Sequence, residues 1–167
     1  MNKILTFCLL SIALSCTATS KETPAEVYDA SFTCPAGWTV SEQEDYGDSK
    51  YLSIEKSGLN SSGLIMVTYS DEHIELTDYL DIYRESFSNQ TLLSNIQFEK
   101  EKEATYGQHK GLVCEYTFSI MSVEHEGRLY VFHSNGKSVC VTEQEAIEDK
   151  AENKAGFEKV KETLTIK

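Results

Sequence analysis

The stretch Gly111–Thr142, GLVCEYTFSIMSVEHEGRLYVFHSNGKSVCVT, decides the fold. Its first third alternates Val113, Glu115 and Thr117 against Cys114, Tyr116 and Phe118, the period of two that sends successive side chains to opposite faces of a strand. Glu124-His125-Glu126-Gly127 is polar and ends in glycine, so it reads as a turn into a second strand, Arg128–His133. Asn135-Gly136 then gives the strongest short hairpin signal in the chain, because both residues tolerate positive φ, and it leads into a third strand, Lys137–Thr142. Three strands joined by hairpins form an antiparallel meander to which the rest of the chain must be fitted.

Upstream, Leu64–Tyr69 (LIMVTY) is the most apolar strand candidate and belongs near the centre of a sheet. Lys50–Lys56 alternates, as do Ala30–Cys34 and the short run Trp38–Ser41; the acidic stretch Glu42–Ser49 between them reads as a solvated loop. Leu76, Tyr79, Leu80, Tyr83 and Phe87 recur at three and four residues, which predicts an amphipathic helix over 76–88 capped by Thr77. Ile96–Thr105 reads as one charged strand. Phe157, Val160 and Leu164 place a second helix over roughly 149–163, followed by a short last strand at Thr165-Ile166-Lys167. The fold class is therefore α+β, an antiparallel sheet of about seven strands with two helices packed on it.

The N-terminus carries an address. Lys3 precedes an eleven-residue uncharged run, Ile4–Leu14, too short to span a bilayer as a helix, and the run ends in Ala13-Leu14-Ser15-Cys16. This exit resembles the lipobox at which bacterial signal peptidase leaves an acylated cysteine, making Cys16 the lipid attachment site, labelled by palmitate. Ordinary cleavage after Ser15 or Ala18 is the rival. The expected organisation is a signal peptide over 1–15, the lipidated Cys16 and a flexible tether over 16–29, and one domain over 30–167. Residues 17–29 (TATSKETPAEVYD) have no apolar period, which suits a tether.

The sequence of 167 residues holds 27 acids against 15 bases, a formal charge of -12. Losing residues 1–15 removes only Lys3, so the mature charge is -13 (14 bases against 27 acids). Such a surface argues against nucleic acid as a partner and is repelled by anionic lipid heads, so contact with the membrane runs through the lipid.

Phe32-Thr33-Cys34-Pro35-Ala36-Gly37-Trp38, a strand ending in Pro-x-Gly-Trp, resembles the opening of PsbP/Mog1/DcrB-like domains. The following order is also similar: two strands, an amphipathic helix, a strand quartet whose second member opens at Gly111, and a C-terminal helix with Phe-x-x-Val. The resemblance covers residues 30–166. It implies binding or scaffolding more often than catalysis, and it brings no shared catalytic set.

No catalytic motif, cofactor or metal site is expected. Cys34, Cys114 and Cys140 permit one disulfide, either of Cys34 with one of the others or none. A turn centred near His125 sets Cys114 and Cys140 about six residues, roughly 20 Å, apart along the strands, which disfavours their bridge. His73, His109, His125 and His133 lack metal-ligand spacing. Asp71-Glu72-His73 and Glu124-His125-Glu126 set carboxylates beside an imidazole, but in turns, and Glu42, Glu44, Asp45 and Asp48 do not match a calcium loop. Tyr46 and Tyr106 lie in turns, where rings serve recognition or cover a core edge, and Trp38 reads as a core plug. These features favour a non-catalytic lipoprotein of the bacterial cell envelope, at the outer membrane on its periplasmic or surface face, that binds an envelope protein or a small ligand. The alternatives are a hydrolase or redox enzyme with a site assembled by tertiary contact from histidines, acids and Cys114, and a structural envelope component.

Overall fold

A computed structural model describes residues 21–58 and 61–167. In chain order the strands are β1 (Thr23–Val27), β2 (Ala30–Cys34), β3 (Trp38–Asp45), β4 (Ser49–Lys56) and β5 (Leu64–Ser70), followed by helix α1 (Leu76–Ser88). Then come β6 (Ser94–Phe98), β7 (Lys102–Tyr106), β8 (His109–Ile120), β9 (Val123–Ser134) and β10 (Lys137–Ala146). A 3-10 turn (Ile147–Asp149), helix α2 (Lys150–Thr163) and β11 (Thr165–Ile166) complete the chain. The strands form an eight-stranded sheet in the order β3-β4-β5-β10-β9-β8-β6, with β7 also on β8, and a small sheet β1-β2-β11; every pairing is antiparallel.

The period-two pattern builds two cores, one on each face of the large sheet. Val113, Tyr130, Phe132, Val139 and Val141 face α2 and the small sheet, where they meet Phe157, Val160, Leu164 and Phe32. Their chain neighbours Cys114, Leu129, Val131 and Cys140 face α1 and meet Tyr79, Leu80 and Phe87. Trp38 is 3 % exposed and packs edge-on against Phe157, with ring centroids 5.4 Å apart, so it is indeed a core plug.

Several expectations need correction. The large sheet, expected at about seven strands, has eight; a second, three-stranded sheet includes β1, which lies within the stretch expected to be a tether: Thr23–Val27 pairs with β2 and buries Val27. Residues 1–20, and with them the expected signal segment and Cys16, lie outside the described residues. The acidic stretch is strand as far as Asp45, and only Tyr46-Gly47-Asp48 turns. Glu42, Glu44 and Asp45 lie on an edge strand, where like charge discourages pairing with a second edge. The run 96–105 divides into β6 and β7. Helix α1 begins at Leu76, with Glu75 as its N-cap and no side-chain cap bond, so Thr77 is inside the helix.

The first turn of the meander is displaced as well. It lies at Met121-Ser122, both at positive φ (49° and 70°), rather than at His125. Gly127 is a strand residue whose missing side chain makes room for Tyr116; a Cβ there would come 2.3 Å from the tyrosine ring. The Asn135-Gly136 hairpin forms as expected and sets Cys140 opposite Val131. Val131 in turn lies opposite Leu112, and Cys114 opposite Leu129. The two cysteines are thus offset by two residues and two strands, about 12 Å on ideal sheet spacings, still beyond disulfide reach.

Candidate functional site

A buried polar cluster lies under α2 on the neighbouring strands β9 and β10. Register places Glu143 opposite Arg128 and Glu145 opposite Glu126, so alternate residues carry all four side chains to the face of α2. Arg128 reaches both buried carboxylates: its Nε is 3.1 Å from Glu143 Oε2 and its Nη2 3.3 Å from Glu145 Oε1. Its guanidinium also sits 5.5 Å from the centre of the Phe157 ring. Both glutamates have side chains only 2 % exposed. Burial pushes the Glu143 carboxyl up to about 7 against the pull of Arg128 and Lys161. Burial also raises Glu145, opposed by Asn153 and Arg128. Tyr106 is pushed well above the usual phenol range by burial and by the charge of Glu143.

Beside this cluster opens a groove of about 430 Å³ lined by Gln97, Glu99, Glu115, Glu126, Arg128 and Lys150 among others. Glu143 and Glu145 are not part of its lining. The charges at its walls are largely matched: Glu115 with Lys102 at 2.7 Å, Glu126 with Lys150 at 2.8 Å, and Arg128 with the glutamates beneath. A carboxyl near neutral pKa is a recurrent mark of acid-base sites. Here it is buried between the sheet and α2, 2 % exposed, and its ion-pair partner is Arg128 of the neighbouring strand.

The residues singled out from sequence are scattered. Cys34, Cys114 and Cys140 are buried, with Cys34 in the core under α2 and the other two under α1. The thiol of Cys140 is pushed up to about 12 by burial, so it stays protonated at neutral pH. Cys114 Sγ lies 3.4 Å from Arg84 Nη2 and 3.2 Å from the Glu99 carbonyl oxygen, with no histidine among these partners. Ellman's reagent is expected to reach none of these three thiols in the folded protein and all three after denaturation; a denatured count of one would reveal a disulfide.

His73 and His133 pack against each other with rings tilted by 32° and centroids 4.2 Å apart, and His133 Nε2 lies 2.9 Å from the Ile74 carbonyl oxygen. His109 stacks on Phe132 and His125 on Phe118. Asp71 is held by Lys137, and Asp45 by Lys50 at 2.7 Å. Among the described residues no three His, Cys, Asp or Glu side chains are grouped to hold a metal. Tyr106 is 1 % exposed, a core residue and no recognition ring, whereas Tyr46 is 67 % exposed at its turn.

The sequence reading missed Arg128, Glu143, Glu145 and Asn153. Its third strand ends at Thr142, where polarity rises, yet β10 runs on to Ala146 and stays buried throughout Ser138–Ala146. No local signal marks this extension: the facing strand β9 runs over twelve residues, Val123–Ser134, but on sequence alone it begins only at Arg128.

Among solved structures, CyanoP, the cyanobacterial PsbP of Synechocystis sp. PCC 6803, superposes with a TM-score of 0.58 at 12% identity, over 89% of this chain and 94% of its own. The fold is PsbP-like. LpqN of Mycobacterium tuberculosis, described as involved in cell envelope biogenesis, gives 0.57 at 16% identity, over 87% and 90% of the two chains. The Pseudomonas aeruginosa protein PA94, of unknown function, gives 0.53 at 14% identity, over 88% and 98%. The PsbP/Mog1/DcrB resemblance read from Pro-x-Gly-Trp thus holds at the level of fold. Neither a protein-family model nor a curated protein matches the sequence. Among the described residues no helix is long and apolar enough to cross a membrane.

Proposed function

We propose that this chain is a bacterial envelope lipoprotein, tethered through Cys16, whose PsbP-like domain binds another envelope component and performs no chemistry of its own. The observation that carries the binding reading is the gathering of exposed apolar side chains at one end of the large sheet. Met121 is 91 % exposed, and Val123 and Ile147 are close to half exposed. Large apolar groups concentrated at one place on an otherwise acidic surface mark an interaction site more often than chance exposure. The description of LpqN as an envelope-biogenesis protein supports the location. The dispersal of histidines and thiols over both cores and both ends of the sheet speaks for binding over catalysis.

Two measurements test the reading. A palmitate analogue fed to cells should label the protein and fail to label a Cys16→Ala variant; equal labelling of the two ends the lipid assignment. The full-length protein, captured from solubilised membranes, should retain one specific partner, and a capture that yields only background counts against binding.

A further inference from the structure

The β8–β9 turn is built at a conformational cost. A two-residue hairpin with both centres at positive φ favours Asn-Gly, the pair that this chain uses at Asn135-Gly136. The same geometry at the β8–β9 tip is given to Met121 and Ser122, residue types that disfavour it. What the turn gains is a methionine held out in solvent. Ile120 and Val123 face each other at the foot of the turn, and Ala146 pairs with His125 on the neighbouring strand. Ile147, at the start of the 3-10 turn, closes the group. Three shallow depressions converge here: one of about 490 Å³ includes Met121, Val123 and Ala146, and two others share Glu124 and Ile147. Leu92, 76 % exposed, precedes the β6 residue Ser94 that pairs with Ser119, so it stands at the same end of the sheet.

The rim of this apolar end is acidic. Glu124 and Glu148 are exposed and line the depressions, and neither is in an ion pair among the described residues. The nearby base, Lys150, is held by Glu126 at 2.8 Å. An anionic bilayer is repelled by such a rim, and a second copy of a chain carrying a net -12 would bring like charges together. What the surface complements is an apolar anchor flanked by cations. We infer that the Met121–Val123–Ile147 end of the sheet is a docking surface for an amphipathic protein segment bearing Lys or Arg beside its apolar face, with the flexible methionine adapting to that face. This rests on the binding reading above and names the partner chemistry.

The chain has three methionines, of which Met66 packs on the α1 side and serves as an internal control. Full-length protein carrying 13C-methyl methionine is titrated with a synthetic 15-residue Leu/Lys amphipathic helix and with the same peptide bearing Glu for Lys. The Met121 methyl signal should shift saturably with the Lys peptide, far less in 0.5 M salt, and not with the Glu peptide, while Met66 stays still. The double variant Met121→Asn/Ser122→Gly improves the turn and so keeps the fold; it should bind a fluorescent Lys peptide at least tenfold more weakly. Unchanged affinity in that variant overturns the inference, as does an equal Met121 shift with the Glu peptide, with phosphatidylglycerol vesicles, or on raising protein concentration alone. Capture of the same membrane partner by wild type and variant alike overturns this docking surface and leaves the binding reading intact. Binding of the Lys peptide at Met121 with no partner captured supports the surface and counts against the binding reading.

Discussion

Arg128→Met is expected to destabilise the protein by about 3–5 kcal/mol at pH 8, because it strands two carboxylates whose side chains are only 2 % exposed. The loss should shrink at pH 5, where Glu143 is protonated and its share of the buried charge is gone. Glu143 sets the sign of this dependence. Its carboxyl is raised by burial to about 7 in the folded state, above the 4.5 of an ordinary glutamate. Its contribution to stability is therefore complete below pH 4.5 and is lost as pH rises through about 7. The shift corresponds to something on the order of 3 kcal/mol. Glu143→Gln, which keeps an oxygen facing Arg128, should remove most of that loss and be more stable than wild type at pH 8. Denaturant midpoints of the three proteins at pH 5 and pH 8 check both statements. An equal cost for Arg128→Met at the two pH values would show that the carboxylates are not the cause.

Trp38→Ala is expected to cost about 3–5 kcal/mol, the range for a buried aromatic removed to leave a cavity. The indole is clamped from two sides. A Cβ on Gly156 of α2 would lie 2.4 Å from its ring, and one on Gly63 would lie 2.7 Å from its far edge. Gly156→Ala should therefore destabilise by about 1–3 kcal/mol through overpacking, although alanine in place of a helical glycine ordinarily gains up to about 1 kcal/mol. Combined with Trp38→Phe, which frees space at the ring, Gly156→Ala should cost less than the sum of the two single changes. Thermal unfolding of the three variants measures the coupling, and a Gly156→Ala protein more stable than wild type would refute the clamp.

The particular elements show what could be read in advance. The meander from Gly111 to Thr142 and helix α1 at 76–88 were legible, because a period of two or of three to four residues is local information. The Asn135-Gly136 turn was legible because its residue types require the geometry they adopt. The first hairpin was misplaced because Gly127 looked like turn punctuation, while the actual turn uses Met121-Ser122, residues with no turn signature. The glycine serves Tyr116 on the adjacent strand, a relation visible only once β8 and β9 are paired. β1 was hidden for a similar reason: Thr23–Val27 (TPAEV) carries a proline and a single large apolar side chain, Val27, and is held by the backbone of β2.

The sequence by itself determined the α+β class, the two helices, the hairpin register at Cys140 and Val131, the acidic surface and the expectation of an anchor at Cys16. Only the tertiary structure decided which charges are buried. Glu143 and Glu145 look like two more acids among 27, and they differ from the rest because α2 covers them and Arg128 stands opposite. The gathering of exposed Met121, Val123 and Ile147 at one end of the sheet was likewise decided in three dimensions. Side-chain chemistry is written along the chain, whereas burial and adjacency depend on which strands pair and which helix lies over them.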